Sequence, residues 1–530
     1  MQLHKPVTLI LLLIASLTGR VNADATDAPV DSAAGYEPTA PAAVATTDPA
    51  DAPDPRAEGS WRVDSLRWKG EFTASLAGGD NTPFWLTNNT QGLGSLKKNN
   101  LRLRASIFKD MDRTNRFSWG AGVDLVGGYR QQSPFAIHQL YGEIRYRCLD
   151  LLVGQKELQG ELSNPRLSSG NLLYSGNARP IPQIRAGIFD YADIWGLRGW
   201  LGIKGYIAFG MFTDSKWVRE WDRDGVYAQN VKYHSKGLWL RNGNTKVFPL
   251  QFEVGIEMAT QFGGWCYWRD PDGNIQRVDM PGGFKSIVKA FVPMPGGSNT
   301  INGEQTNVEG NFLGNWTYAL SWLPDGADWA VKAYFQHMFE DHSMLFVEYP
   351  WHDGLWGVEA KLPRNRVVSN IVYEFLYMKD QTGPVYWDKT DQIPAQVSGR
   401  DNYYWHQLYG AWQHWGEIIG NPMILSPIYN DGTMLLRSTR IIGHHLGFEG
   451  QPLDELSYRV LASYQRSWGT YKNPLPEVAD NFSFLLETTW RPRRLAGWEG
   501  KFSFGLDTGD LIGRSAGVQI TISKTGLINF

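Results

Sequence analysis

From Leu66 onward the chain alternates apolar and polar residues with a period of two. Leu66, Trp68, Phe72, Ala74 and Leu76 stand against Arg67, Lys69, Glu71, Thr73 and Ser75. Leu101, Leu103, Ala105 and Ile107 stand against Arg102, Arg104 and Ser106. The same rhythm returns at 117–125, 201–209, 250–258, 316–322, 329–335, 356–362, 371–377, 458–464, 482–486, 502–506 and 518–522. Successive side chains of a strand point to opposite faces, so each segment predicts a strand with one apolar and one polar face.

The polar face carries charge in many of these segments: Asp124, Glu143 with Arg145 and Arg147, Glu253, Glu257, Glu374, Arg459 and Glu487. A soluble β-sandwich would turn such a face to water. A barrel in lipid turns it to a wet lumen and its apolar face outward. The number of segments, their length of roughly ten residues and the lack of a helical stretch favour an all-β fold, a transmembrane antiparallel β-barrel. Val518, Ile520, Ile522, Ile528 and Phe530 keep one register to the end. A final strand ending in Phe resembles the signal read by the barrel insertion machinery, the first expected partner.

Composition sharpens this reading. Aromatic residues make up 13% of the 530, with 23 Trp, and there are 57 Gly. Trp and Tyr gather where one end of a ring is apolar and the other wet, as at a membrane interface, so outer-membrane lipid is a second expected partner. A carbohydrate-active soluble β-protein would also be aromatic-rich. The net charge of -3 speaks against nucleic acid, which calls for a basic excess. Two cysteines, Cys148 and Cys266, make no disulfide framework.

The N-terminal segment reads as a signal peptide over 1–23, with Lys5, an apolar run from Val7 to Leu17, and Val21, Asn22 and Ala23 at the cleavage positions. Residues 24–59 are rich in Ala, Pro, Asp and Thr and read as a disordered tether. The barrel is expected over 60–530, in the outer membrane of a Gram-negative bacterium.

Chemistry-bearing motifs are few. Gly513, Ser515 and Gly517 match G-x-S-x-G, but between two late strands they predict a β-hairpin rather than a nucleophile elbow. Asp222-Arg-Asp224-Gly225 and Asp270-Pro-Asp272-Gly273 open like calcium loops, yet Tyr233 and Pro281 stand where the twelfth, acidic ligand belongs, so turn chemistry explains them. His444 and His445 point to opposite faces of a strand and cannot share a metal. No metal, cofactor or catalytic constellation is expected, and the chain reads as a non-enzyme. The most suggestive run is Asp401, Asn402, Tyr403, Tyr404, Trp405 and His406. Planar amides and carboxylates beside flat rings suit sugar hydroxyls and sugar faces, and make these six the candidate glycan contacts. An interfacial aromatic cluster is the plainer alternative.

Several stretches resemble the capsule assembly Wzi family, in the branch found in Bacteroidetes-type bacteria. They are Thr82-Pro-Phe-Trp-Leu86, Gly154-Gln-Lys156, Leu167-Ser-Ser-Gly-Asn-Leu172, Tyr174 to Gln183, Asp401-Asn-Tyr-Tyr404, Ile419-Gly-Asn-Pro422 and Gly443-His-His-Leu-Gly447. The resemblance runs from about residue 70 to the C-terminus. It implies an outer-membrane barrel of about eighteen strands. It also implies a lectin-like role that helps attach or assemble capsular or surface polysaccharide at the cell surface. Enterobacterial members carry a periplasmic helical plug. This chain begins instead with the Ala/Pro/Asp-rich tether, so lumen blockage is not carried over. The alternatives are a porin-like channel for solutes and an outer-membrane enzyme acting on glycan or lipid.

Overall fold

The alternation closes into one continuous wall. The structure, a computed structural model, describes residues 63–530 except 195, 271, 292–309, 341–351, 364 and 382–401. The expected signal peptide and tether lie outside the described residues. Eighteen antiparallel strands form a single sheet. In chain order they are β1 (Ser65–Gly79), β2 (Asn100–Lys109), β3 (Phe117–Tyr129), β4 (Phe135–Tyr146), β5 (Leu149–Gln155), β6 (Gln183–Asp193), β7 (Leu201–Met211), β8 (Lys232–Asn242) and β9 (Leu250–Phe262). There follow β10 (Asn311–Trp322), β11 (Ala330–Glu340), β12 (Gly354–Lys361), β13 (Asn370–Met378), β14 (Ile441–Leu453), β15 (Leu456–Gly469), β16 (Pro474–Trp490), β17 (Trp498–Gly509) and β18 (Ser515–Asn529). Each strand pairs with the next, and β1 pairs with both β2 and β18, so the sheet closes and leaves no edge.

The two faces divide as the sequence pattern requires. Leu103 is 63% exposed on the outside, and Phe72, Val123, Ile207, Phe252, Val358 and Ile520 are exposed with it. Their neighbours Thr73, Asp124, Glu253, Glu374 and Glu487 face inward and are buried. An apolar outer belt over a charged inner face suits a barrel whose solvent outside is hydrocarbon. No helix among the described residues is long and apolar enough to cross a membrane, so the strands make the crossing.

The two ends differ. At the end where β1 begins, short turns join the strands. Trp200, Phe248, Trp322, Trp329, Trp490 and Trp498 lie exposed around that rim. Amphipathic rings favour the membrane–water boundary, so this is an interfacial girdle. At the opposite end the connections are long. They include residues 80–99, 156–182, 212–231, 263–310 and 379–440, and they hold a helix at Phe84–Thr87, another at Ser215–Trp221 and a third at Phe284–Phe291. Gly513 of G-x-S-x-G lies in the hairpin turn between β17 and β18, and Ser515 and Gly517 open β18. The two cysteines are not joined in a disulfide: Cys148 lies at the short-turn end and Cys266 at the long-loop end.

Candidate functional site: a plugged lumen with an aromatic outer face

Two of the long loops, residues 80–99 and 156–182, bond to the inner wall of the barrel. Residues 156–182 leave the wall after β5. Glu161 meets Lys204 on β7 at 2.6 Å. Asn164 donates to Glu359 on β12 at 2.8 Å. Arg166 pairs with Glu449 on β14 at 2.9 Å. Strand β14 is half the circumference away from β5, so this loop crosses the lumen. Ser168 and the Ser169 amide both donate to the buried carboxylate of Glu374, which also accepts from Tyr334. A carboxyl group taken out of water needs such donors in place of the water it loses. Loop 80–99 docks likewise: the Phe84 amide donates to Asp507 at 2.8 Å, and Trp85 Nε1 to Ser463 at 3.2 Å.

The stretches that carry the family resemblance meet here. The carbonyl of Leu167 accepts from His445 Nε2 at 2.7 Å, while a Cβ on Gly447 would fall 2.2 Å from that same carbonyl oxygen, so the loop backbone can approach the wall only over a glycine. Asn421 donates to Ser169 at 3.0 Å, and the Ser175 amide to Ile419 at 2.8 Å. His444 points outward to Tyr373, on the face opposite His445.

The candidate glycan contacts divide. Asp401 lies outside the described residues. Asn402 is half-buried and accepts from Thr439. Tyr403 and Tyr404 are fully buried in an apolar core with Leu172, Leu313 and Phe339. The Tyr404 hydroxyl donates to the Leu172 carbonyl, and its amide to Glu340 at 2.7 Å. These two rings therefore hold the plug together and offer no face to a ligand outside. Trp405 is half-buried, with Lys472 Nζ 4.6 Å from its ring centroid. His406 is half-buried, and burial holds its imidazole down to about 4.

A second aromatic group, not foreseen from the sequence, sits on the outer side of the plug. Trp217 stacks on Trp221 at 5.3 Å with an interplanar angle of 14°. Trp415 lies 6.5 Å from Trp217, and the Arg179 guanidinium is 4.5 Å from the Trp415 ring. All three rings are half-buried. The four-residue spacing of Trp217 and Trp221 puts both on one side of the Ser215–Trp221 helix, which is the signal that could have found them. Asp214 anchors the group by accepting from Gln413 Nε2 and the Trp415 amide, both at 3.0 Å. Gly416 has φ of +81°, and a Cβ there would come 2.2 Å from the Trp217 ring, so this position demands glycine on both counts. Flat rings beside amides, carboxylates and a guanidinium can stack on sugar faces and bond to sugar hydroxyls.

Among the described residues, two groups bring three possible metal ligands within 4.8 Å: Asp124, His138 and Glu157, and His352, Asp353 and Asp380. In the first, Arg104 already bonds Asp124 and Glu157 at 2.8 and 2.6 Å, so a guanidinium stands where an ion would bind. In the second, Asp353 accepts from the amides of Asp380 and Gln381. The carboxylates of the two Asp-rich runs cap turns: Asp222 accepts from the amides of Val226 and Met434, and Asp270 from Asn274.

No family model matches the chain, and no curated protein sequence does. Among solved structures it is similar to Wzi of Escherichia coli, with a TM-score of 0.54 over 87% of this chain and 84% of that one, at 14% identity. That protein is an outer-membrane protein involved in group 1 capsule assembly and a carbohydrate-binding β-barrel. The chain has a Wzi-like fold. OccK5 of Pseudomonas aeruginosa follows at TM-score 0.44 and 8% identity, over 88% of this chain and 98% of that one. OccAB4 of Acinetobacter baumannii gives 0.43 and 9%, over 90% and 100%.

Proposed function

We propose that this protein is a non-enzymatic, lectin-like barrel of the outer membrane that holds capsular or other surface polysaccharide at its long-loop end. Long loops on outer-membrane barrels face outward and short turns face the periplasm, which sets the aromatic side of the plug toward emerging glycan. The observation that carries the reading is the Trp217, Trp221 and Trp415 group at the long-loop end, with Trp415 held against Arg179 of the loop that crosses the lumen. A solute channel needs a wet path through the same space, and the wall-to-wall bonding of residues 156–182 weighs against one. The carbohydrate binding of Wzi, on the same fold, adds support. Trp405, half-buried against Lys472, lies at the same long-loop end of the barrel. Each ring contributes modestly, and a repeating polymer that meets several at once is held far more firmly than any one sugar.

Replacing Trp217 and Trp415 with Ala, in cells that make the polysaccharide, should release it into the medium while barrel levels at the surface stay normal. Unchanged retention with a folded, surface-exposed double variant would overturn the reading.

A further inference from the structure

At the long-loop rim where β13, β14 and β15 end, four cations stand over aromatic rings. Lys379 Nζ is 4.5 Å and the Arg466 guanidinium 5.4 Å from the Trp468 ring. The Arg440 guanidinium is 3.9 Å from Tyr471, and Lys472 Nζ is 4.6 Å from Trp405. The three chain segments that carry them are knitted together. The Arg440 amide donates to Gly469, the Trp468 amide to the Arg440 carbonyl, and Arg440 Nε to the Lys379 carbonyl, each at 3.0 Å. The Tyr471 hydroxyl closes the set on the Asp380 carbonyl at 3.1 Å.

None of the four cations has a carboxylate within ion-pair distance among the described residues. The acids nearby are otherwise engaged: the Asp380 side chain takes His352 and Tyr377, and Asp480, opposite Arg466 on the next strand, takes the Tyr464 hydroxyl. A ring face holds a cation in place without neutralising it. Among the described residues these cations thus stand on rings rather than in ion pairs, and Lys472 and Arg466 are exposed.

We propose that this rim selects an anionic polysaccharide, with the acidic groups of its sugars on Lys379, Arg440 and Lys472 and its sugar faces on Trp405, Trp468 and Tyr471. The proposal rests on the polysaccharide-holding function and adds the charge class of the polymer. A guanidinium matches a sugar carboxylate or phosphate with two parallel hydrogen bonds, which a neutral hydroxyl cannot supply. Cations at an exposed rim also act at a distance, and salt weakens that action.

The test uses the full chain in lipid nanodiscs and, as probe, the surface polysaccharide extracted from the source cell. The wild-type protein should lose about tenfold or more in affinity between about 20 mM and about 300 mM NaCl. The Lys379→Gln, Arg440→Gln, Lys472→Gln triple variant should show the weak, salt-insensitive binding at both salts. The charge-keeping Lys379→Arg, Lys472→Arg variant, with Arg440 retained, should bind as wild type, which controls for folding. Salt-insensitive binding by the wild type, or full affinity in the neutralised triple variant, would overturn the anionic assignment and leave the attachment function standing. Absence of any binding by the wild type at either salt would overturn the attachment function and this assignment with it.

Discussion

Glu417 has both carboxylate oxygens buried, with no hydrogen-bond partner among the described residues. Burial pushes its carboxyl up to about 8, with Arg179 pulling in the opposite direction. The unfolded chain ionises the same group near 4.5. Between those two values the folded protein holds a proton that the unfolded chain has released. Stability from this group is therefore complete below about 4.5, falls as pH rises, and levels off above about 8, with a slope of at most about 1.4 kcal/mol per pH unit. Thermal unfolding followed from pH 5 to pH 9 should show that decline, and Glu417→Gln should flatten it. A slope unchanged by the substitution would mean that other groups set the pH response. Residue chemistry of this kind was hidden in the sequence. Nothing in the run Gly416-Glu417-Ile418 marks the carboxylate, and only the packing of residues 402–440 around it removes its water. Tyr403 and Tyr404 show the same limit: as letters they read as sugar platforms, but their depth decides whether a ring meets ligand or core.

Among the elements, the strands were legible and the loops were not. A strand exposes its geometry in a period of two, and the outward sets at Leu101 to Ile107 or Val518 to Ile522 are those named from alternation alone. A loop has no period, so the path of residues 156–182 across the lumen has no sequence signature, although its motif residues Ser168, Ser169 and Asn171 are distinctive. The crossing predicts an electrical consequence. In planar bilayers, removal of residues 160–173 should raise single-channel conductance severalfold over wild type, because the bridge from Lys204 to Glu449 is gone. Glu374→Ala is the milder perturbation. It strips Ser168 and Ser169 of their acceptor, at a cost of about 1–3 kcal/mol per buried group left unpaired, and should give intermittent openings. Conductance equal to wild type in both would show that the loop does not close the path.

At the scale of the whole molecule, the outer belt makes the barrel a membrane protein. Leu103 lies in the middle of β2, 63% exposed. Leu103→Arg should cost about 2–4 kcal/mol in urea titrations of the protein folded into lipid vesicles, because no water reaches the bilayer midplane to solvate the charge. Leu103→Phe should cost less than about 1.5 kcal/mol, since it changes shape but not polarity. Equal costs for the two would place this face outside hydrocarbon. The ring of Trp200, Trp322, Trp329, Trp490 and Trp498 at the short-turn end fixes the height at which the barrel sits.

By itself the sequence determined what depends on neighbouring residues: strand positions, which side chains share a face, the sign of each face, and hence a closed barrel in lipid. Alternation is local, and a lipid environment leaves closure as the way to pair every backbone group. The tertiary structure alone decided what depends on residues far apart in the chain. It brought Arg166 to Glu449 and Ser169 to Asn421, and so filled the lumen. It buried Tyr404 under the carbonyl of Leu172, and it gathered Trp217 with Trp415 and Lys472 with Trp405 into outward aromatic faces. Such meetings arise from how loops pack against a wall, and packing is a property of the whole fold, not of any stretch of sequence.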